Sequence, residues 1–364
     1  MNREQQYILY KGRKWGKNNL NEMKNLITTE EDFFADLVSF LEEWFDDSPL
    51  IKVHTSGSTG KPKEMLVKKD YMENSARLTC ATLGLKAEDK ALLCMPLKYI
   101  AGKMLVVRAL VCGLELIIQK PCGHPLSDIT EHIKFAAMIP LQVYNSLLVA
   151  EEKEKFKNID TVIIGGGSID AAMEKELKDF PNRIYSTYGM TETLSHIALR
   201  KINGEDASLY YKPFDTVKIS VDENNALIIE APAVSDIILH TNDIVDVKED
   251  GSFRIIGRKD NIINTGGIKI QIEQVEEKLK EIIDLPFAIT SVSDNKFGEI
   301  IILLIESNTI PQNISEKIES ILTKYERPKK IFAVKRIPTT ETGKISRAKC
   351  KEMALTVYMG TETN

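Results

Sequence analysis

The feature that most constrains this chain is a series of short apolar runs separated by helical stretches. Lys90 to Met95 reads as a buried strand ending at Pro96, Leu114 to Ile118 as another, and Ala136 to Ile139 and Thr161 to Ile164 as two more. Lys69 to Leu83 and Lys103 to Cys112 carry helical patterns between and before them. Such alternation is the signature of parallel α/β structure. Parallel sheets bind ligands in the loops at the carboxyl ends of their strands, so the loops after these runs are the places to look for function. The run ending at Ile164 leads into Gly165-Gly166-Gly167-Ser168.

A second kind of loop precedes this set. Leu50-Ile51-Lys52-Val53 reads as a short strand and runs into His54-Thr55-Ser56-Gly57-Ser58-Thr59-Gly60-Lys61-Pro62-Lys63. Glycines let backbone N–H groups approach a ligand, hydroxyls add donors that rotate to suit, and lysines supply charge, so the stretch is suited to wrapping an anion such as phosphate. It is not a Walker loop: Thr55 stands where the first glycine belongs, and Pro62 follows Lys61. Pro62 also disfavours helix at Lys61, so the loop is not expected to open a helix there.

Composition narrows the functional class. With 364 residues, 43% hydrophobic and 28% charged, the chain is an ordinary globular sequence long enough for two domains. A net charge of -5 supplies no basic field for nucleic acid or anionic membrane. No apolar run reaches the length of a membrane span and the start lacks the apolar core of a secretory signal, so a cytoplasmic location is expected. Five scattered cysteines without a Cys-x-x-Cys pair, and five dispersed histidines, favour reduced thiols over a disulfide framework or a metal cluster.

Residues 1 to 27 give little away. A helix is expected from Thr29, where Thr-Glu-Glu-Asp supplies a cap, through Phe33, Phe34, Leu37, Val38 and Leu41. From 216 to 256 the pattern becomes antiparallel, with strands Val217 to Val221, Ala226 to Glu230, Ile244 to Val247 and Phe253 to Ile256; Asp222 to Asn225 and Lys248 to Gly251 are hairpin connections. After Gly257-Arg258-Lys259-Asp260 a different unit follows: helix Gln274 to Ile283, strand Ile300 to Ile305, helix Ser315 to Leu322 and strand Lys330 to Val334. The expected fold is α/β, with a large N-terminal domain of layered mixed β-sheets and helices (1–258) and a small mobile α+β C-terminal domain (259–364).

Any one of these loops has a dull explanation as a surface turn; their order does not. Thr55 to Lys63, Tyr188-Gly189-Met190-Thr191-Glu192, Thr241-Asn242-Asp243, Gly257 to Asp260 with Gly266-Gly267, and Pro338 to Lys344 together resemble the adenylate-forming superfamily of acyl-CoA synthetases, adenylation domains and luciferases. The resemblance runs from about residue 50 to the C-terminus. It implies that a carboxylate attacks the α-phosphorus of ATP to give an acyl-AMP, which a thiol then opens, with charge and oriented donors stabilising the phosphorus centre. It implies that Thr55, Ser56, Gly57, Ser58, Thr59, Gly60 and Lys63 hold the β- and γ-phosphates, that Thr191 contacts the α-phosphate, and that Glu192 ligates Mg²⁺. Tyr188 and Gly189, with the backbone of Gly165, Gly166 and Gly167, would flank adenine; Asp243, helped by Arg258, would take the ribose hydroxyls. Lys344 would be the catalytic lysine, brought in when the small domain swings about a hinge at Asp260, after which Gly266 and Gly267 would be presented to CoA.

Two departures stand out. The family usually has Thr-Gly-Asp where this chain has Thr241-Asn242-Asp243, and Asn242 is expected to keep the turn because asparagine tolerates unusual backbone angles. Most relatives also have many more residues ahead of the phosphate loop than the 53 found here, so a lobe of the large domain is expected to be reduced or missing.

For the acid itself, Met95-Pro96-Leu97-Lys98-Tyr99-Ile100-Ala101-Gly102 with the later Arg108, and Ser195-His196 after the Thr-Glu-Thr segment, look like the short o-succinylbenzoate CoA ligases of menaquinone synthesis. That substrate keeps a second carboxylate and a keto group, so Arg108, Ser195 and His196 are the candidates for holding it. Arg108 could equally be a structural ion-pair partner and His196 a plain core histidine. The motifs also leave open a ligase for another aryl or acyl acid, one that loads a carrier-protein thiol, and a degenerate nucleotide-binding protein. The expected small-molecule partners are therefore a carboxylic acid, ATP with Mg²⁺, and CoA.

Overall fold

The computed structural model describes residues 2–27, 33–54, 64–340 and 345–362. Thr29 with its expected cap, the phosphate-loop residues Thr55, Ser56, Gly57, Ser58, Thr59, Gly60 and Lys63, and the expected catalytic Lys344 lie outside the described residues.

The N-terminal stretch carries more structure than its composition suggests. Tyr7–Tyr10 (β1) and Arg13–Gly16 (β2) form a hairpin around Lys11-Gly12. Both loop residues have positive φ, 50° and 70°, the two-residue geometry whose twist matches the flanking strands. Ile8 and Trp15 are buried, and β1 pairs in parallel with a later strand, so this hairpin finishes one edge of the main sheet. Beyond it the helix Phe33–Phe45 buries Phe33, Phe34, Leu37, Val38, Phe40, Leu41, Trp44 and Phe45, and the Trp44 indole Nε1 donates to Gln6 Oε1 at 2.9 Å.

Leu50–His54 (β3) and Glu64–Lys68 (β4) pair as an antiparallel ribbon, so the glycine-rich segment links two strands and no helix follows it until Lys69–Leu83. The alternating region then builds the main sheet from Lys90–Leu93 (β5), Glu115–Ile118 (β6), Phe135–Met138 (β7), Thr161–Ile164 (β8), Arg183–Gly189 (β9), His196–Lys201 (β10) and Lys212–Pro213 (β11). Its order is β11-β10-β9-β8-β7-β5-β6-β1-β2; β9, β8, β7, β5, β6 and β1 run parallel and the outer strands antiparallel. The central strands are buried on both faces, as in Phe135–Met138 and Thr161–Ile164, because helices cover both sides. Each aliphatic side chain so enclosed contributes roughly 1.5–3 kcal/mol. The chain leaves β5 to place β6 on one side and returns to place β7 on the other, which creates a crevice at the carboxyl ends of β5 and β7.

The antiparallel region forms a second sheet from Lys218–Val221 (β12), Ala226–Glu230 (β13), Leu239–Val247 (β14) and Phe253–Arg258 (β15), in sequence order. Its core residues Leu227, Ile229, Val245 and Phe253 join the same cluster as those of the main sheet. Strand β14 begins at Leu239, earlier than the expected Ile244, and this corrects the reading of Asn242. The Thr241-Asn242-Asp243 segment is extended strand, Asn242 takes no positive φ, and no turn needs it there. The ladder to β13 instead shifts register between Ala226 and Ile228.

The C-terminal portion has its own sheet: Ile262–Thr265 (β16), Ile268–Gln271 (β17), Phe287–Asp294 (β18), Gly298–Glu306 (β19) and Lys330–Val334 (β20), in the order β17-β16-β19-β18 with β20 parallel to β19. Helices Ile272–Leu279, Ile314–Ile321 and Arg347–Glu362 pack on it, and its two hydrophobic clusters contain only residues from Ile263 onward. The helix expected over Gln274 to Ile283 starts and stops earlier, and β18 and the last helix were not foreseen. No helix among the described residues is long and apolar enough to cross a membrane.

Candidate functional site

Two polar clusters meet on strand β9, where Tyr188 pairs with Ala198 and Gly189 with His196. The first lies toward the second sheet. The Tyr188 hydroxyl donates to Asp243 Oδ2 at 2.6 Å, and Arg258 Nη1 donates to Asp243 Oδ1 at 3.0 Å. Arg258 also grips Asp260 through Nε and Nη2, at 3.0 and 3.2 Å. Asp243 and Arg258 face each other across the β14–β15 ladder, so strand register alone sets that pair. The Tyr188 ring is buried edge-on to Phe253, with centroids 5.1 Å apart, and tilted against Tyr211 at 5.9 Å. Burial and the Asp243 charge push its hydroxyl well above the ordinary range, so it stays a donor.

The loop after β8 approaches from the next strand. A side chain at Gly165 would meet Thr187 Oγ1 at 2.3 Å, and Gly166 has φ of 79°. After β9 the chain makes one 3-10 turn, Thr191–Thr193, in which the Thr193 hydroxyl accepts from the Met190 N–H and donates locally, pinning the turn. Glu192 on this turn is exposed and makes no hydrogen bond or ion pair among the described residues. Gly189 is forced by close approach: an added Cβ would stand 2.3 Å from the Ser195 carbonyl oxygen and 2.6 Å from His196 Cα.

The second cluster lies behind that turn and unites Arg108, Ser195 and His196. Arg108, on the helix Ile100–Cys112, is 2% exposed, and its Nη2 donates to Ser195 Oγ at 2.6 Å. Ser195 Oγ lies 3.3 Å from His196 Nδ1, and His196 Nε2 lies 3.2 Å from Thr79 Oγ1. Thr79 gives its only hydrogen to the Ser75 carbonyl, at 3.1 Å. His196 must therefore donate from Nε2 to Thr79 and accept at Nδ1 from Ser195, the neutral tautomer. Burial, reinforced by the Arg108 charge, holds its pKa well below the ordinary value. The arginine itself has no carboxylate partner among the described residues, and its Nε–H is buried without an acceptor. Burial lowers its pKa to about 10. The alternative of a structural ion pair for Arg108 is thereby excluded among the described residues.

The structure thus joins Tyr188, Asp243 and Arg258 in one cluster, sets Gly165 against the neighbouring Thr187, and gathers Arg108, Ser195 and His196 next to the turn that carries Thr191 and Glu192. Asp260 sits in the 3-10 turn Lys259–Asn261 that leads into the C-terminal portion. Gly266 and Gly267, with φ of 59° and 82°, are the two-residue loop of the β16–β17 hairpin, well along the chain from either cluster. Lys344 is outside the described residues, but its flanks are joined by a bridge between Thr339 and Ile345. Sequence reasoning missed Thr79, Tyr211 and Phe253, which orient His196 and Tyr188. They carry no motif; only packing reveals them.

The model of the AMP-binding enzyme family matches residues 9–229. A 2-succinylbenzoate–CoA ligase of Listeria monocytogenes is 24% identical over 341 residues, 86% of this chain and 72% of that protein. The acyl-CoA synthetase (AMP-forming)/AMP-acid ligase II-like protein of Dyadobacter fermentans is 31% identical, with a TM-score of 0.63 over 92% of this chain and 97% of its own. The o-succinylbenzoate coenzyme A synthetase of Bacillus subtilis, solved in complex with ATP and magnesium ion, has a TM-score of 0.68 at 20% identity over 82% of this chain and 69% of its own, a likeness of fold. This chain belongs to the family of AMP-binding enzymes, the adenylate-forming acyl-CoA ligases.

Proposed function

We propose that this enzyme adenylates o-succinylbenzoate with ATP and passes the acyl group to CoA. The observation that carries the choice of acid is Arg108: a buried guanidinium joined to Ser195 and His196, with no carboxylate partner among the described residues. One carboxylate of such a diacid reacts at phosphorus. The other remains charged and needs a fixed cation in an otherwise apolar pocket, which buried N–H donors satisfy best. The Listeria relative's name points to the same acid.

In this reading Asp243, held by Tyr188 and Arg258, accepts from the ribose hydroxyls with its remaining lone pairs, and the Gly165–Gly167 backbone borders adenine. Thr55, Ser56, Gly57, Ser58, Thr59, Gly60 and Lys63 hold the terminal phosphates, and Thr191 the α-phosphate. Glu192 fits a Mg²⁺ site as its single protein ligand, since it is exposed and unpaired and the described residues contain no competing group of three acidic, histidine or cysteine ligands. Bound there, the ion would neutralise phosphate charge. Residues 259–364 would act as a mobile domain that delivers Lys344 over the reacting carboxylate and then turns about Asp260 to present Gly266 and Gly267 to CoA. Arg258 supports this pivot because it binds Asp243 and Asp260 at once. Pyrophosphate exchange over a panel of acids tests the proposal. Exchange strongest with o-succinylbenzoate is expected; exchange with aliphatic monoacids alone would overturn the acid assignment, and none with any acid would overturn adenylation.

A further inference from the structure

Three loops leave the carboxyl ends of β5, β6 and β7, and one buried side chain touches all of them. Gln142, in the helix Pro140–Leu148, is 4% exposed. Its Oε1 accepts from the Ile139 N–H, just after β7, at 3.2 Å. Its Nε2 donates to the Cys94 carbonyl, just after β5, at 3.0 Å, and to the Cys122 carbonyl, in the loop after β6, at 3.1 Å. The first contact is half of a capping box: the third helical residue reaches back to the cap, which fixes its own rotamer. A glutamate would serve that cap equally well. The amide adds two hydrogens, and both are directed at loops from other strands. Cys94 is followed by Met95-Pro96-Leu97, and this segment lies backbone to backbone on the helix of Arg108: a Cβ at Gly102 would stand 2.5 Å from the Pro96 carbonyl oxygen and 2.8 Å from that of Met95. The Tyr99 N–H closes the turn on the Pro96 carbonyl at 3.2 Å. Packing this close leaves no slack between Cys94 and the helix that carries Arg108.

We propose that Gln142 is a positioning residue for the acid: through the Cys94 carbonyl it holds Met95-Pro96-Leu97 against the Arg108 helix, and so fixes where that segment and the guanidinium meet the substrate. The donation to Cys122 ties the amide from the opposite side, so it cannot turn away from Cys94 without giving up a second bond. Removing the donors leaves a buried carbonyl to find water, which favours displacement of the segment. The link to the acid rests on the role proposed for Arg108; the hold on the segment does not.

Two variants of the full chain separate the limbs of this side chain. Gln142→Glu keeps an acceptor for the Ile139 N–H and loses the donors; Gln142→Met loses both and serves alone if a buried carboxylate prevents folding. Asn145→Ala, on the same helix, is the control, because it removes a donor 3.1 Å from the Gly123 carbonyl in the loop after β6 but none from Cys94. Hydrogen–deuterium exchange of the ligand-free proteins, read by mass spectrometry, should be faster over residues 95–103 in both Gln142 variants and unchanged there in Asn145→Ala. In pyrophosphate exchange both Gln142 variants should raise the KM for the acid about five- to ten-fold, with the KM for ATP unmoved in Gln142→Glu. Parent-like hydrogen exchange over 95–103 in Gln142→Glu would make the residue a helix cap and overturn the positioning role, as would parent-like exchange in Gln142→Met or equal acceleration in Asn145→Ala. Faster hydrogen exchange with an unmoved acid KM would overturn the link to the acid. If the parent supports pyrophosphate exchange with no acid, the proposed function and that link fall together, while hydrogen exchange still decides whether Gln142 holds the segment.

Discussion

Replacing Arg108 by methionine separates a binding role from a structural one. The guanidinium is 2% exposed, with a single described partner, Ser195, and burial lowers its pKa to about 10. That depression corresponds to roughly 3 kcal/mol by which folding disfavours the charged form. A base with a depressed folded value burdens the folded state fully below pH 10, and the burden fades as pH climbs from there toward the ordinary arginine range. Methionine removes the charge at similar volume but loses the bond to Ser195, about 1 kcal/mol. The ligand-free Arg108→Met protein should therefore be about 1–2 kcal/mol more stable than the parent, by the same amount at pH 7.5 and pH 9. Its KM for the acid should rise about 10- to 100-fold, the loss of a charge-assisted hydrogen bond, with the KM for ATP unmoved. Urea denaturation and pyrophosphate exchange read the two effects. A variant destabilised by about 3 kcal/mol, with acid KM intact, would refute the reasoning and make Arg108 a structural residue.

Three further outcomes are expected. His196 is held neutral by burial and by Arg108, so the folded state resists its protonation and loses stability as pH falls below the unfolded value near 6.5; urea titrations at pH 7.5 and 5 should show this loss shrinking in His196→Gln. Gly189→Ala should lower stability by about 3 kcal/mol, since its methyl group meets backbone atoms of Ser195 and His196 that cannot give way; denaturation at the parent's midpoint within error would contradict it. Lys344→Ala should abolish formation of the acyl-AMP while a supplied acyl-AMP still yields thioester; equal loss in both half-reaction assays would remove its assigned role.

The periodicity of residues 90–164 and 216–256 is enough to identify a mixed α/β chain, because buried parallel strands and hairpins with polar turns have local patterns. The order of the glycine, hydroxyl and acidic motifs was enough to call the family. What the sequence left dark was local structure without a pattern and contacts without a motif. The first hairpin could have been found, since Lys11-Gly12 between two aromatic-rich runs is a two-residue turn, yet its place at the sheet edge depends on pairing with β6, a strand far along the chain. Asn242 was read as a turn residue because the motif's glycine suggested one; the β14–β15 ladder holds that segment extended.

By itself, then, the sequence determined the α/β class and the family, for these depend on side-chain identity and near-neighbour spacing. Only the tertiary structure decided that Arg108 meets Ser195 and His196 instead of an acidic partner, that Thr79 fixes the histidine's tautomer, and that Arg258 binds Asp243 and Asp260 together. Each of these joins elements distant in the chain, and burial gives each its strength by removing the water that would otherwise compete.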